Sequence, residues 1–123
     1  MEVNKIYNEN CLDTMARMPN GFVDLTVTSP PYDNLRTYKG YSFDFESVAK
    51  ELFRVTKQGG VVVWVVGDAT IKGSETGTSF RQALYFKEIG FNLHDTMIYK
   101  KENPVPLTHN RYEQGFEYMF ISV

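Results

Sequence analysis

Four consecutive residues, Ser29, Pro30, Pro31 and Tyr32, form a segment, here called the Ser-Pro-Pro-Tyr turn, that could hold a flat heterocycle. Two adjacent prolines cannot continue the hydrogen-bond ladder of a strand, so the segment predicts a rigid, exposed turn. The Ser29 hydroxyl and the Pro30 carbonyl are acceptors for the two N–H bonds of an amino group, and the Tyr32 ring offers a face for stacking. Alone, the four residues are equally compatible with a proline turn that carries a surface tyrosine.

A predicted strand over residues 22–28 positions this turn. Val23, Leu25 and Val27 alternate with polar residues, which is typical of a strand with one apolar face. The strand runs directly into Ser29, and ligands of α/β proteins bind at the carboxyl ends of sheet strands. The sequence therefore predicts a binding site at the end of this strand.

Strands and helices alternate along the rest of the chain, which predicts a single α/β domain over residues 1–123 with about five strands and three helices. The expected strands cover residues 3–7, 22–28, 61–66, 91–100 and 116–123, with loops at 33–42, 67–77 and 101–115. The expected helices cover residues 11–18, a segment from about Asp44 to Gly59-Gly60, and a segment from a capping box of Ser79 and Gln82 to Gly90. Residues 61–66 are apolar throughout, so we expect a central strand buried between helical layers.

Composition excludes several classes of protein. The 123 residues are 42% hydrophobic and 23% charged with a net charge of −2, which is typical of one globular domain. No apolar run reaches the roughly 18 residues of a membrane span, and the N-terminal residues lack a signal-peptide pattern. Cys11 is a lone cysteine and cannot form an intrachain disulfide, so we expect a cytoplasmic protein. The sequence has no Cys/His grouping typical of a metal site, and its charge gives no global sign of nucleic-acid binding.

Several segments, in matching order, resemble the S-adenosylmethionine-dependent DNA amino-methyltransferases, which methylate N4 of cytosine or N6 of adenine. The Ser-Pro-Pro-Tyr turn after Val-Asp-Leu-Thr-Val-Thr resembles the catalytic motif of that family. Residues 8–13 resemble its Gly-Asp-Cys-Leu-Glu turn, and residues 51–60 resemble its Arg-Val-Leu-Lys-Pro-Gly-Gly helix end. Arg111 with the Phe-Glu-Tyr of residues 116–118 resembles its late His-Glu-Tyr strand. The resemblance covers nearly the whole chain and implies a Rossmann-like methyltransferase sheet with flanking helices.

The resemblance assigns roles within the Ser-Pro-Pro-Tyr turn. Ser29 Oγ and the Pro30 carbonyl accept hydrogen bonds from the amino group of the target base, and Tyr32 stacks on the base. Pro31 completes the motif and is counted with these catalytic residues. The base must first leave the DNA duplex, and stacking offsets part of the few kcal/mol that this costs. No covalent intermediate is implied, so Cys11 is not required as a nucleophile. A serine at the first position of the motif favours cytosine N4 over adenine N6.

The same resemblance places S-adenosylmethionine against Asn10, Cys11 and Leu12. In the family, an acidic side chain at the position of Asn10 and the backbone N–H groups that follow contact the adenine of the cofactor. Asn10 is equally compatible with a helix N-cap, and Cys11 with a small packing residue. Asp68 either belongs to a turn or lines the binding cleft, and we favour the turn.

Arg36, Lys39 and Arg111 are candidate contacts to DNA phosphates, because they lie on loops expected beside the binding site. A solvated loop is the alternative for each of them. The partner implied by the resemblance is double-stranded DNA with a flipped target base, and restriction–modification is the expected setting.

The Phe-x-Gly-x-Gly motif, with which the family wraps a glycine turn around the methionine part of the cofactor, does not occur in the 123 residues. In members that begin with the Ser-Pro-Pro-Tyr region, target recognition and the glycine motif follow, so the chain resembles their N-terminal catalytic half. Without the strand that leads to the glycine turn, residues 22–28 would expose an unpaired edge. We therefore hypothesise a truncated or split methyltransferase that needs a second polypeptide for activity. The alternatives are a non-catalytic module that binds DNA or a partner, and a methyltransferase that acts on RNA, protein or a small molecule.

Overall fold

The computed structural model describes residues 1–31, 43–102 and 115–123. Its helices are α1 (Cys11–Ala16), α2 (Phe45–Val55) and α3 (Thr78–Glu88). Its strands are β1 (Val23–Thr28), β2 (Thr56–Val66), β3 (Thr70–Ile71), β4 (Ser74–Glu75), β5 (Leu93–Lys100) and β6 (Phe116–Ser122). The predicted α/β class is confirmed, and the helices and the long strands lie close to their predicted positions.

Four strands form one mixed sheet in the order β1-β2-β6-β5. β1 and β2 run parallel, whereas β6 is antiparallel to both β2 and β5. α2 connects the two parallel strands, as a parallel pair requires a crossover segment. β2 is an inner strand, as predicted for residues 61–66, and β1 forms an edge of the sheet within the described residues. The turn that follows β1 therefore lies at a corner of the sheet.

The hydrophobic core lies on one face of this sheet. Val62, Trp64 and Val66 of β2 are buried in one cluster with apolar residues of α1, α2 and α3. Trp64 is 1% exposed, and its ring centroid lies 5.0 Å from that of Phe86 on α3. The alternate valines of β2, at positions 61, 63 and 65, are only half-buried. The expectation that β2 is buried on both faces is therefore wrong, because the described helices pack on one face only.

An irregular register between β1 and β2 corrects the expected end of α2. The pairing passes from Val23 with Thr56 to Leu25 with Val61, so two steps along β1 correspond to five along β2. α2 ends at Val55, and Gly59 and Gly60 lie inside β2 rather than ending the helix. Gly59 has a φ of +84°, and a Cβ on Gly60 would lie 2.9 Å from the Asp24 carbonyl oxygen. The two glycines therefore allow the bulge to form against the neighbouring backbone.

Val23, Leu25 and Val27, which the alternation places on one face of β1, differ in burial across the bulge. Leu25 and Val27 are 58% and 64% exposed, whereas Val23 is half-buried. Thr26 and Thr28 point to the side of the helices and are half-buried. The apolar face predicted for β1 is thus exposed at its carboxyl half, and the threonines face the core side of the sheet.

The capping box expected at Ser79 and Gln82 is wrong. Gly77 is the N-cap residue of α3 and makes no side-chain capping bond. The N–H and the hydroxyl of Ser79 donate to Asp68 Oδ1 and Oδ2 at 2.7 and 2.6 Å, so a carboxylate after β2 caps the helix. Gln82 instead accepts a hydrogen bond from the Trp64 indole at 2.9 Å. The intervening segment, predicted as a loop, contains the short hairpin β3-β4.

The strand predicted for residues 3–7 is wrong. No strand occurs in residues 1–10, and Val3 and Ile6 are 67% and 94% exposed. This segment lacks a neighbouring strand among the described residues, and apolar alternation without a pairing partner does not form a ladder. Among the residues that the structure describes, no helix is long and apolar enough to cross a membrane.

Candidate active site

A cleft of about 560 Å³ opens at the carboxyl end of β1, between α1, α2 and the core side of the sheet. Its wall combines the segment around α1, the end of β1 with the following turn, and the apolar face of α2. The lining residues are Tyr7, Glu9, Cys11, Thr14, Met15, Met18, Val23, Thr26, Thr28, Ser29, Pro30, Pro31, Phe43, Val48, Leu52, Val55 and Trp64. The cleft is thus apolar at its floor and carries a few hydroxyl groups and one carboxylate, which is the usual composition of a small-molecule site.

The described part of the Ser-Pro-Pro-Tyr turn lies at this cleft. Ser29, Pro30 and Pro31 all line it, with Ser29 exposed and Pro30 buried. The exposure of Ser29 leaves its hydroxyl open to a ligand in the cleft. Tyr32, for which stacking was predicted, lies outside the described residues.

The three predicted cofactor residues have different surroundings. Asn10 is the N-cap of α1, and its Oδ1 accepts a hydrogen bond from the Leu12 backbone N–H at 2.9 Å. Cys11 is exposed and lines the cleft together with the Ser-Pro-Pro-Tyr turn, while Leu12 packs against the core. The structure therefore places Cys11 at the cleft beside the Ser-Pro-Pro-Tyr turn. The Asn10 amide oxygen and the Leu12 N–H are instead bonded to each other in the helix cap.

Glu9 and Tyr7 contribute to the cleft, although the sequence assigned a role to neither side chain. Arg17 donates to both carboxylate oxygens of Glu9, with Nη2 to Oε1 at 2.6 Å and Nη1 to Oε2 at 2.9 Å. These hydrogen bonds hold the pKa of Glu9 below its ordinary value. The Arg17 guanidinium also lies 5.6 Å from the centre of the Tyr7 ring. The sequence offers only an acidic and a basic residue eight positions apart, which is too far for an ion pair within one helix or strand.

A profile of the N6/N4 methyltransferase family, described as DNA methylase, matches residues 23–123. The chain belongs to this family of DNA methylases. The match includes β1, the Ser-Pro-Pro-Tyr turn and every later strand of the sheet, so the family resemblance found in the sequence is confirmed.

Relatives of the chain include an orphan methyltransferase and a type II methyltransferase. The orphan methyltransferase M.BamHII of Bacillus amyloliquefaciens is 75% identical over 99 residues, which cover 80% of this chain and 37% of that protein. The type II methyltransferase M.BglII of Bacillus subtilis is 36% identical over 72 residues, covering 53% of this chain and 20% of that one. The matched part therefore forms the smaller share of each relative.

Solved structures share the fold of this methylase chain. The cytosine-N4-specific PvuII DNA methyltransferase superposes with a TM-score of 0.77 at 20% identity, over 94% of this chain and 47% of that one. TTHA0409 of Thermus thermophilus, whose structure is described as that of a DNA modification methylase complexed with S-adenosyl-L-methionine, has a TM-score of 0.68 at 25% identity. That match covers 90% of this chain and 51% of TTHA0409. The chain thus spans about half the length of these proteins.

Arg54 of the methylase chain anchors one wall of the cleft. Its guanidinium donates to the backbone carbonyls of Met15 and Met18, at 2.6 and 2.8 Å, and to Asn20 Oδ1 at 3.0 Å. It also forms two hydrogen bonds with the Glu51 carboxylate, which lower the pKa of Glu51 and raise that of Arg54. Because these backbone acceptors lie in the last turn of α1 and two residues after it, Arg54 holds that helix against α2.

The remaining candidates lie away from the cleft or outside the described residues. Asp68 caps α3 and is not among the residues that line the cleft. Both interpretations from the sequence, a solvated carboxylate in a turn and a cleft-lining residue, are therefore wrong. Arg36, Lys39 and Arg111, the predicted DNA-binding residues, lie outside the described residues. In the described ranges, no group of three or more His, Cys, Asp or Glu side chains has the arrangement of a metal site.

Proposed function

We propose that this chain is the base-presenting part of an S-adenosylmethionine-dependent DNA methyltransferase that acts on an exocyclic amino group, with cytosine N4 favoured over adenine N6. The observation that carries the proposal is the exposed Ser29 hydroxyl next to Pro30, at the carboxyl end of β1 and at the mouth of the cleft. Family membership supports DNA as the substrate, and the serine at the first position of the turn supports cytosine.

The proposed chemistry follows from the weakness of the nucleophile. The lone pair of an exocyclic amino group is delocalised into the ring of the base. Hydrogen bonds from its two N–H groups to Ser29 Oγ and the Pro30 carbonyl would hold the nitrogen in place and concentrate the lone pair toward the methyl donor. Tyr32 is proposed to stack on the base after it leaves the duplex. S-adenosylmethionine, when bound, supplies an electrophilic methyl group. The nitrogen would gain the methyl as the bond from that carbon to the sulfonium sulfur breaks, S-adenosylhomocysteine would leave, and one N–H proton would pass to water.

The volume of the cleft suits a small-molecule cofactor. A volume of about 560 Å³ lies within the range of roughly 300–1,000 Å³ of small-molecule sites. Of the three residues proposed for the cofactor, Cys11 has the position best suited to contact it, whereas Asn10 and Leu12 would contact it beside the helix cap that they form. Contacts of Arg36, Lys39 and Arg111 to DNA phosphates remain part of the proposal, as does a second polypeptide with the glycine motif.

A chimeric methyltransferase tests the proposed chemistry. The segment of M.BamHII that is 75% identical to this chain is replaced by the corresponding residues of this chain, and transfer of a tritiated methyl group to unmethylated DNA is measured. Ser29→Ala is expected to lower the transfer rate by about 100-fold, the usual effect of removing one preorganised hydrogen-bonding group. Ser74→Ala, an exposed serine in the β3-β4 hairpin, is the matched control and should leave the rate unchanged.

Analysis of the methylated nucleosides then separates the candidate targets. N4-methylcytosine is expected, and N6-methyladenine would overturn the choice of base. If the Ser29→Ala variant of the chimera transferred methyl groups at the same rate as the unsubstituted chimera, the proposed role of the hydroxyl would be contradicted. That result would favour a non-catalytic module. Transfer to RNA or protein but not to DNA would exclude the proposed substrate. Transfer by the 123-residue chain alone would remove the need for a second polypeptide.

A further inference from the structure

Glu9 is the only charged side chain among the residues that line the cleft. The other lining side chains are apolar or carry hydroxyl or thiol groups. The side chain of Glu9 is 30% exposed, so its carboxylate is accessible to a ligand. In ligand sites with mostly apolar walls, a small number of placed polar groups fixes the orientation of the ligand. Glu9 is therefore a candidate for that role on the α1 side of the cleft.

Arg17 holds the Glu9 carboxylate from outside the cleft. Its guanidinium donates to both carboxylate oxygens in a fork, yet Arg17 is not among the lining residues. Arg17 is itself fixed, because Nη1 also donates to the Asp13 carbonyl at 3.3 Å and the guanidinium lies over the Tyr7 ring. The Tyr7 hydroxyl donates in turn to the Glu2 carbonyl at 2.7 Å. A two-bond pair with these supports gives the carboxylate a defined direction.

The pairing with Arg17 also restricts the kind of group that Glu9 can bind. A carboxylate has about four acceptor sites, of which the fork uses two, so the oxygens can still accept from a ligand. The Arg17 nitrogens lie 2.6 and 2.9 Å from those oxygens, so a cation bound to the same carboxylate would be repelled by the guanidinium. A neutral N–H or O–H donor gains a hydrogen bond to a charged acceptor without that repulsion.

We propose that Glu9 accepts a hydrogen bond from a neutral donor of the adenosine part of S-adenosylmethionine, and that Arg17 is the positioning residue that orients it. The inference rests on the proposed function for the identity of the ligand. Adenosine offers the amino group of adenine and the two ribose hydroxyls, whereas the sulfonium and the ammonium of the cofactor are cations. The Asn10 amide oxygen is already bonded to the Leu12 N–H, so the charged acceptor on this side of the cleft is Glu9.

Ligand binding to the 123-residue chain tests the role of Glu9 without methyl transfer. The probe is S-adenosylhomocysteine, which has the adenosine part but no methyl group to transfer. Isothermal titration calorimetry gives its affinity. Trp64 is the single tryptophan of the sequence and lines the cleft, so a change in its fluorescence shows that the probe occupies the cleft.

Glu9→Gln should weaken binding of the probe by about 10-fold or more, because a hydrogen bond to a charged group is replaced by one to a neutral amide. Glu88→Gln is the matched control, since Glu88 is exposed at the end of α3 and is not a lining residue. Circular dichroism verifies that both variants keep the fold. Equal affinities of the two variants, or an unsubstituted chain that does not bind the probe, would overturn the inference.

Analogues of the probe identify the donor that Glu9 meets. S-inosylhomocysteine lacks the adenine amino group, and the 2′-deoxy and 3′-deoxy forms each lack one ribose hydroxyl. The analogue without the relevant donor should bind equally to the unsubstituted chain and to Glu9→Gln, while the other analogues keep the difference of about 10-fold. A difference that persists for all three analogues would mean that Glu9 accepts from none of these donors, and the proposal would be wrong.

The positioning role of Arg17 has a separate signature. Arg17→Gln should weaken binding of the probe, Arg17→Lys should restore part of the loss, and Arg17→Gln should have no effect when Glu9 is already glutamine. An equal loss in both backgrounds would show that Arg17 acts on the fold and not through Glu9. All of these measurements are independent of the Ser29→Ala transfer assay. Failure of the Glu9 role therefore leaves the proposed reaction standing, and loss of the Ser29 effect counts against the reaction alone.

Discussion

The Nη2 atom of Arg54 donates to the backbone carbonyl of Met15 at 2.6 Å, so a side chain of α2 fixes the last turn of α1. The same guanidinium reaches the Met18 carbonyl, two residues after α1 ends. Met15 and Met18 both line the cleft. One arginine therefore holds a wall of the candidate active site from the opposite helix, and the shape of the cleft depends on it.

Substitution of Arg54 should destabilise the fold in a graded way. Lysine keeps the charge but offers a single ammonium group in place of a planar fork, so Arg54→Lys should lower the melting temperature, and Arg54→Met should lower it further. Differential scanning calorimetry measures both. Arg81→Lys is the control, because the Arg81 side chain makes an exposed hydrogen bond within its own helix. The melting temperature of this variant should match that of the wild type. Equal melting temperatures for Arg54→Lys and the wild type would contradict the anchoring role.

The Glu51–Arg54 pair should make stability depend on pH. Hydrogen bonds from Arg54 lower the pKa of Glu51 in the folded state, so the unfolded chain binds the proton more readily. The stabilisation is fully present above the unfolded pKa, about 4.3 for glutamate, and is lost as the pH falls through the lower folded pKa.

Urea denaturation of the wild type and Glu51→Gln at several pH values measures this contribution. The difference between the two proteins should be largest near pH 7 and should shrink as the pH falls below about 4. In an Arg54→Met background the difference should lose its pH dependence. A difference that stays constant from about pH 7 to about pH 3 would mean that the pair does not shift the titration of Glu51.

The Asp68 carboxylate should stabilise the start of α3. It accepts from both the N–H and the hydroxyl of Ser79, so Asp68→Ala should cost about 1–2 kcal/mol of unfolding free energy, the range of a lost helix cap. Ser79→Ala keeps the backbone bond and should cost less. Asp95→Ala, an exposed aspartate on β5, should have little effect. A loss at Asp68 no greater than that at Asp95 would show that the cap does not contribute.

The buried hydrogen bond between Trp64 and Gln82 should contribute to stability mainly because it keeps the Trp64 indole N–H from being buried without an acceptor. Gln82→Leu leaves the Trp64 indole N–H without its acceptor, which should cost about 1–3 kcal/mol. Trp64→Phe removes the donor and part of the packing volume. A double-mutant cycle should find the Gln82→Leu cost reduced when Trp64 is already phenylalanine. Strict additivity of the two unfolding free energies would mean that the bond carries no net energy.

Local chemistry made the end of β1 before Ser29 predictable, while contacts over long chain distances did not leave a sequence signal. Two adjacent prolines end a strand because they lack backbone N–H donors, and Ser29 and Pro30 lie directly after β1 and at the cleft. Arg54 bonds to carbonyls 36 and 39 residues earlier, and Asp68 caps a helix eleven residues later. These partners become neighbours only in the folded sheet.

Burial of β2 was difficult to predict for a different reason. Residues 61–66 are apolar throughout, so their sequence contains no alternation that distinguishes the core face from the other face. Which valines are buried depends on which face the helices cover, and this is a property of the connections rather than of the strand itself. Gly59-Gly60 resembled a helix end for another reason, because glycines occur both at helix ends and in bulges.

The bulge between β1 and β2 isolates the candidate site from changes in chain length. Pairing resumes at Leu25 with Val61 and continues without interruption to Thr28 with Trp64, directly before Ser29. The additional residues of β2 lie between Thr56 and Val61, before this uninterrupted ladder. An insertion or deletion at positions 57–59 would be absorbed by the bulge, because it would not shift the later pairs. Related chains can therefore differ in length at this point while Ser29 keeps its position at the end of β1.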